Sequence, residues 1–359
     1  MKNSILLLSF LFAFSSIGAA QNLNKNETKA LQKIFAQTSA KGTTNGAEVG
    51  AAGNNFSNVK GLKIADGHVV EIDFRNKNLA GDFSLSNFPM LSRIDISGNK
   101  LTTLELVNNP ELTYVDAGKN LLTDVTLTNC NQLQNLRLYH NRLSELNLQG
   151  TPFLKKLNIQ GNFFEDLDVS NAFNLEHLNC IGNRLQNLNV SGCTNLKSIY
   201  AGYNELTQLE LSGLVNLINL NVNGNRLQQL YIQNLPALSS LLCSDNHMSS
   251  LTVKNCRNLS EVWAPYNDLT AFNVTDVPTL AFVNLEWNDL TDVNLSNMNF
   301  LQRVNLANNQ LITCNVSFDP VLTTVILTNN SMLQNLMVEA TPMLRNVVGY
   351  SGFDPIDQF

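Results

Sequence analysis

The stretch LSRIDISGNKLTTLELVNNPE, residues 91–111, is the unit from which most of the chain is built. Apolar and polar residues alternate in two short runs, with Ile94 and Ile96 in the first and Leu104 and Leu106 in the second. A period of two predicts extended strands, and neither run is long enough for a helix of about ten residues. Each unit is therefore expected to supply two short strands joined by turns.

A leucine returns every 21 residues through twelve consecutive units, which is far beyond chance. These leucines are Leu91, Leu112, Leu133, Leu154, Leu175, Leu196, Leu217, Leu238, Leu259, Leu280, Leu301 and Leu322. Eight residues after each leucine stands an asparagine, from Asn99 to Asn330. A single unit cannot bury its own apolar side chains, so the units must stack into one continuous core. The asparagine amide both donates and accepts, and is predicted to join backbone groups of successive turns.

The unit LxxLxLxxNxLxxLxLxNxPx resembles the leucine-rich repeat family, in particular its 21-residue bacterial variety called IRREKO and the internalin-like secreted proteins. The resemblance covers about three quarters of the chain. It implies a mainly β repeat solenoid, an arc with a parallel concave sheet, extended convex segments and a small helical N-terminal cap. It also implies that the concave side is the binding surface.

Four segments are expected along the chain, and the first has the apolar run and small-residue end of a cleavable secretory signal. The segments are 1–20, the signal peptide; 21–68, an N-terminal cap of helix plus hairpin; 69–343, the repeats; and 344–359, a short C-terminal cap or tail. No later run of about 18 apolar residues could span a bilayer. The protein is therefore expected to be exported, either secreted or at the cell surface, without a transmembrane segment.

The N-terminal cap is predicted from two local patterns. Residues 24–39 place Leu31, Ile34 and Phe35 on one face of a short helix, with Asn26 or Thr28 available to cap it. Residues 61–74 read as a hairpin whose turn contains an Asp-Gly pair. Both elements would cover the first apolar layer of the solenoid.

The charge balance and the positions of the cysteines limit the partners and cofactors to be expected. The formal net charge is −6, with 23 basic and 29 acidic side chains, which argues against nucleic acid as the main partner. The six cysteines fall in core or turn columns of the repeat. Partners in one column three units apart would be separated by about 14 Å, beyond disulfide reach. They are predicted to be buried thiols, and no metal ligand set, other cofactor or catalytic motif is recognised.

The candidate ligand-binding residues occupy the outward columns of the first strand of each unit. They are Trp263, Tyr266, Phe282, Trp287, Tyr200, Tyr203, Tyr139, Glu261, Glu286 and Arg137. Tyr266 and Trp287 share a column in consecutive units, so their rings are expected about 5 Å apart, close enough to stack. Pro265, expected on the same outward side, would cost a sheet hydrogen bond and is interpreted as a local bulge.

Charge is expected to be divided along this face. The acids Asp245, Glu261, Asp268, Glu286 and Asp289 surround the aromatic residues of the later units. The first five units carry Arg93, Lys119, Arg137, Arg142, Lys156 and Arg184 against Asp95 and Asp116. The face is thus predicted to be basic toward the front and acidic and aromatic toward the back.

These patterns favour a non-enzymatic recognition module, expected to be a monomer, that binds a protein or peptide on its concave aromatic face. A glycan ligand is the nearest alternative, because aromatic and acidic side chains also suit sugar rings. A purely structural surface or matrix protein is the third possibility, in which the neighbouring rings only cover each other. The acid pair Glu261 and Glu286 also has a simple explanation as a solvated rim.

Overall fold

The computed structural model describes residues 23–51, 56 and 58–351. The predicted signal peptide, residues 1–20, lies outside the described residues, as does the end of the predicted tail, residues 352–359. The remainder forms the predicted solenoid of stacked 21-residue turns, mainly β, with two helices in the described N-terminal part.

Helix α1 (Lys25–Ala36) covers the first turn of the solenoid and buries Leu31, Ile34 and Phe35. The predicted capping residues are wrong, because Asn24 caps the helix instead. Its side-chain oxygen accepts the backbone N–H of Asn26 at 2.9 Å. Asn24 immediately precedes the first helical residue, which is the position of an N-cap.

A second helix, α2 (Asn45–Val49), was not predicted. It occupies the glycine-containing link after α1, and a single turn of helix has no apolar period long enough to detect. The Thr44 side chain caps it by accepting the Ala47 N–H at 3.2 Å. Gly50 ends it in the left-handed conformation, with a φ of 79°.

The long sheet has fifteen strands and runs the length of the solenoid. With numbering along the chain, its strands are β1 (Leu62–Ala65), β2 (His68–Asp73), β4 (Arg93–Asp95), β6 (Tyr114–Asp116), β8 (Asn135–Arg137), β9 (Lys156–Asn158), β11 (His177–Asn179), β13 (Ser198–Tyr200), β14 (Asn219–Asn221), β16 (Ser240–Leu242), β18 (Glu261–Trp263), β20 (Phe282–Asn284), β22 (Arg303–Asn305), β24 (Thr324–Ile326) and β26 (Asn346–Val348). β1 and β2 are the antiparallel hairpin, with Asp66 and Gly67 both left-handed in its turn. The other pairs are parallel and shift by one repeat, as in Ile94 beside Val115.

The opposite wall consists of four short parallel sheets. Their strands are β3 (Ala80–Ser86), β5 (Lys100–Val107) and β7 (Asp124–Thr128); β10 (Asp166–Asp168) and β12 (Asn187–Asn189); β15 (Tyr231–Gln233), β17 (Ser250–Lys254) and β19 (Ala271–Thr275); and β21 (Asp292–Asn294), β23 (Thr313–Asn315) and β25 (Asn335–Met337). Residues 145–148 and 208–211 form no strand, and the wall is interrupted there. The predicted extended segments are therefore present, but they do not pair continuously.

Asparagine side chains connect neighbouring turns as predicted. Asn225 is representative: its amide nitrogen donates to the carbonyls of Ala201 and Val222, each at 3.0 Å, and its oxygen accepts the Leu206 N–H at 3.0 Å. The same pattern recurs from Asn120 to Asn330. Because each amide links two turns, the column fixes the spacing of the coils while the leucine columns fill the core between them.

All six cysteines are buried and free, as predicted. The thiol of Cys193 donates to the Val169 carbonyl at 3.0 Å. Burial raises the pKa of Cys180 and of Cys243 to about 12. These thiols therefore stay protonated at neutral pH and act as small core side chains.

The turn after the second strand uses left-handed residues in one column of the repeat, such as Asn108, Gly192 and Asp276. Gly150 and Asn171 lie in that column but do not adopt the left-handed conformation. Gly150 lies next to residues 145–148, where the wall has no strand, but Asn171 follows strand β10. Gly213 is left-handed after the other gap, residues 208–211, so the turn geometry does not follow the strand pairing.

Candidate binding surface

Four aromatic residues form an exposed group on the outer face of the long sheet, the side turned away from the core. This aromatic patch consists of Trp263, Tyr266, Phe282 and Trp287, with exposed fractions of 41, 54, 40 and 51%. Val262, between two outward residues of β18, is fully buried. Strand alternation therefore points the Trp263 side chain away from the core. Packing of the leucine core does not require large aromatic side chains on this exposed face.

Tyr266 and Trp287 form the predicted stack across consecutive turns. Their ring centroids lie 6.0 Å apart, and their planes are inclined by 13°. Both rings remain about half exposed, so covering one another has not removed them from solvent. The pair presents a flat aromatic surface beside the turn that follows the strands.

The backbone beneath this stack is left-handed, which was not predicted. Tyr266 has a φ of 56° and Trp287 a φ of 55°. The same column contains glycine in other turns, for example Gly182 and Gly224, both with positive φ. An L-residue with a side chain pays about 1–2 kcal/mol for this conformation, whereas glycine pays almost nothing. The fold alone would thus favour glycine where Tyr266 and Trp287 stand.

Pro265 is buried, so the prediction that it faces solvent is wrong. At the equivalent position one turn later, the Glu286 N–H donates to the Asn284 side chain at 3.1 Å and takes no part in the sheet. One turn earlier, Trp263 stands at the position of Asn284 and offers no side-chain acceptor. Pro265 stands at the position of Glu286 and has no backbone N–H to donate. The proline therefore costs no sheet hydrogen bond, and the interpretation as a bulge is unnecessary.

A cleft of about 330 Å³ opens between Trp263 and Phe282. Arg303, from the next strand, forms part of its lining together with Asn284 and Asn305. The sequence interpretation missed Arg303, although it shares the outward column of Phe282 and the register places the two side by side on neighbouring strands. The cleft combines apolar walls with one positive group.

The two glutamates predicted at the patch are engaged by its polar side chains. Glu261 accepts the indole N–H of Trp263 at 3.1 Å. Glu286 accepts the side-chain amide of Asn305 at 2.9 Å. These bonds orient Trp263 and one wall of the cleft, which gives each carboxylate a positioning role.

Three predicted residues, Arg137, Tyr139 and Tyr200, lie far from the patch. Arg137 is on β8, six strands from β18, which corresponds to about 29 Å along the sheet. The Arg137 guanidinium lies 5.3 Å from the ring centre of Tyr139. Arg137 and Tyr200 line another groove of about 520 Å³. Tyr203 is 67% exposed and left-handed, and it belongs to neither group.

Two of the predicted front arginines form ion pairs with the two predicted front acids. Arg93 lies 3.6 Å from Asp95, and Arg137 lies 3.4 Å from Asp116. Burial raises the pKa of Asp116 despite this neighbouring arginine. Each of these two acids therefore offsets the charge of one neighbouring arginine.

A depression of about 600 Å³ lies on the other wall near residues 145–148. Its charged lining residues, Asp124, Glu145 and Asp168, are acidic, and it contains no aromatic side chain. In the described ranges no group of His, Cys, Asp and Glu could hold a metal ion. The same residues include no helix long and apolar enough to cross a membrane.

No known family model and no curated protein matches this chain. Several solved structures share its fold. YopM, a leucine-rich effector protein of Yersinia pestis, is 22% identical, with a TM-score of 0.62, covering 77% of this chain and 76% of YopM. The functional domain of InlJ from Listeria monocytogenes, which includes a cysteine ladder, is 22% identical, with a TM-score of 0.56 and coverage of 78% and 67%.

The internalin InlF from Listeria monocytogenes is 20% identical, with a TM-score of 0.55, covering 90% of this chain and 97% of that one. These similarities confirm the predicted fold: the chain is a leucine-rich-repeat solenoid with turns of about 21 residues. At such low identity they concern the fold, and the binding surface has to be argued from its own residues.

Proposed function

We propose that this chain is an exported, non-enzymatic recognition module that binds a protein or peptide through its aromatic patch. The observation that carries this proposal is the left-handed backbone of Tyr266 and Trp287. Two large aromatic residues occupy positions where glycine would be more stable, and both rings remain half exposed. A contribution to binding explains why such residues stand at a conformational cost.

The arrangement around the stack supports the same proposal. Trp263 and Phe282 border a cleft that could take a side chain of the ligand, and Glu261 holds the indole of Trp263 in place. Aromatic anchors beside a cleft and surrounded by polar groups are typical of interface hot spots. On the arc that the repeat family implies, this face would be the concave one, where an extended segment has the most surface to contact.

Export remains a proposal based on residues 1–20, which have the pattern of a secretory signal. It is tested by expressing the full chain in a bacterial host and sequencing the N-terminus of the protein recovered outside the cytoplasm. A mature N-terminus at Gln21 is expected. Retention of Met1 in a cytoplasmic product would contradict export.

Binding is tested by selecting a displayed library of random 12-residue peptides on the chain from Gln21 onward. Enriched peptides are then measured against Trp263→Ala and Trp287→Gly. The glycine variant removes the ring and relieves the left-handed backbone, so its melting temperature should remain near that of the wild type. Loss of binding by both variants is expected.

The control variant is Tyr231→Ala, which removes a 64% exposed aromatic side chain from β15 on the other wall. It should retain full binding. If no peptide is enriched, or if peptides bind all three variants as well as the wild type, the proposed function is wrong.

A further inference from the structure

We propose that the stacked pair Tyr266 and Trp287 receives a positively charged side chain, arginine or lysine, from the bound peptide. This inference rests on the proposed function and specifies the chemistry of the ligand. It follows from the free aromatic surface, the surrounding charge and the way the chain treats its own aromatic rings elsewhere on the same molecule.

The geometry of the pair suits a cation. A guanidinium or ammonium group is attracted to an aromatic face when it lies within about 6 Å of the ring centre, and indole is the strongest such acceptor. The rings of Tyr266 and Trp287 are nearly parallel, with 13° between their planes, and both residues are about half exposed. Part of this π surface is therefore open to a ligand group.

The chain covers other rings with its own arginines. The Arg93 guanidinium lies 3.7 Å from the ring centre of Tyr114, and that of Arg184 lies 4.9 Å from Phe163. Within the part of the chain that the structure describes, no arginine or lysine covers Tyr266 or Trp287 in this way. The stack has the acceptor of a cation–π contact, and the cation has to come from outside.

Charge near the stack favours such a cation. Five carboxylates stand on the outward positions of these three turns: Asp245, Glu261, Asp268, Glu286 and Asp289. Facing them are His247, whose ring nitrogen is 3.6 Å from Asp268, and Arg303 on the neighbouring strand. The five carboxylates outnumber these two basic groups, so the local charge is negative. A ligand cation would gain from this field both in association rate and in orientation.

The cleft and the stack are expected to take different side chains. Arg303 lies in the cleft lining, so that site disfavours a second cation and suits an apolar or acidic group. The two turns that carry the stack, residues 259–300, contain no lysine or arginine. A peptide with one basic residue and one apolar residue a few positions away would satisfy both.

The composition of the peptides selected on the wild-type chain tests this inference separately from the proposed function. Enriched sequences should contain arginine or lysine more often than the starting library. Enrichment of neutral or acidic sequences that still require Trp263 and Trp287 would overturn the cation and leave the binding function intact. Failure to enrich any peptide would overturn both. Binding of a glycan array in place of peptides would also contradict the inference.

A selected basic peptide is then titrated while tryptophan fluorescence is recorded. The chain has two tryptophans, Trp263 and Trp287, and both are in the patch, so the signal reports on this surface. Replacing the peptide arginine by citrulline, its uncharged isostere, should weaken binding about five- to tenfold. Equal affinity for the citrulline peptide would refute the inference.

The charge contribution is measured with the double variant Asp268→Asn, Asp289→Asn. This double variant should lower the affinity for the basic peptide by about fivefold and reduce the dependence of that affinity on salt. The matched control is the double variant Asp124→Asn, Asp166→Asn, two exposed acids of β7 and β10 on the other wall, which should leave the affinity unchanged. If both changes lower the affinity equally, the peptide is attracted by the net charge of the protein and not by the carboxylates near the stack.

Discussion

The carboxylate of Asp319 accepts the backbone N–H of Met298 at 2.6 Å, while its second oxygen is buried without a hydrogen-bond partner among the described residues. Asn109 fills the same column near the front, and its amide nitrogen donates to the Leu85 carbonyl at 3.1 Å. By the repeat register, Leu295 supplies the equivalent carbonyl to Asp319. An ionised carboxylate there faces an acceptor, and burial raises the pKa of Asp319 to about 7.

Asp319→Asn should therefore stabilise the protein at pH 8, by about 1–3 kcal/mol in the free energy of unfolding. The folded state holds the Asp319 proton up to about pH 7, whereas the unfolded chain releases it near its ordinary pKa of 3.8. This contribution is full below pH 4 and is lost as the pH rises through 7. The asparagine side chain does not ionise, so the variant does not lose this stability as the pH rises.

Chemical unfolding of both proteins at pH 5 and pH 8 measures the effect. The difference in stability between variant and wild type should be larger at pH 8. A variant that is less stable than the wild type at pH 8 would show that Asp319 has a partner that the described residues do not include.

The asparagine column makes a second prediction. Asn225→Ala leaves the buried Leu206 N–H without its acceptor. It also removes one of the two amide donors from the carbonyls of Ala201 and Val222, which keep the amides of Asn204 and Asn246. We expect a loss of about 2–4 kcal/mol in the free energy of unfolding, because unpaired buried groups cost more than a hydrogen bond contributes. Asn216→Ala is the control, since Asn216 makes one exposed side-chain bond, to Thr194. Equal losses in thermal unfolding would contradict the structural role of the column.

The sequence predicted most of the fold because one period assigns every column. The 21-residue spacing placed Leu220 in the core, Asn225 in the turn and Trp263 on the surface, and each lies there. The prediction that Pro265 faces solvent was wrong because the sequence does not show where the strand ends. That boundary depends on which backbone groups form hydrogen bonds in the sheet. The role of Arg303 depends on packing between strands, which no single repeat displays.

The left-handed backbone of the patch was the most informative feature that the sequence did not reveal. Glycines at 161, 182 and 224 marked that column, but they alternate with Lys119, His140 and Tyr203, so the column did not read as a glycine position. The mixture of residue types in this column hid the requirement for a positive φ, which the dihedral angles show directly.

A third prediction tests the conformational cost of this column without touching the patch. Lys119 is exposed with a φ of 56°, so Lys119→Gly should raise the free energy of unfolding by about 0.5–1 kcal/mol. Lys100→Gly, at an exposed position of β5 without a positive φ, should lower it by about the same amount. If both changes destabilise the protein equally in thermal unfolding, the column imposes no cost, and the case for Trp287 weakens.

The last prediction concerns the front of the solenoid, where Glu27 of α1 is completely buried. One carboxylate oxygen accepts the Val69 N–H of β2 at 2.7 Å, and the other lies 2.7 Å from the ring nitrogen of His68. Glu27→Ala leaves the buried Val69 N–H unpaired and removes the side-chain bonds between α1 and β2, which should cost about 2–4 kcal/mol.

Because a repeat protein unfolds through local units, this loss should be confined to the front. Hydrogen exchange in Glu27→Ala should accelerate in β1 and β2 and remain unchanged in β18 and β20. Glu27→Gln keeps an acceptor for Val69 and should show a smaller acceleration. Uniform acceleration along the whole sheet would mean that α1 stabilises the solenoid globally, and peptide binding at Trp263 would then depend on a contact nine repeats away.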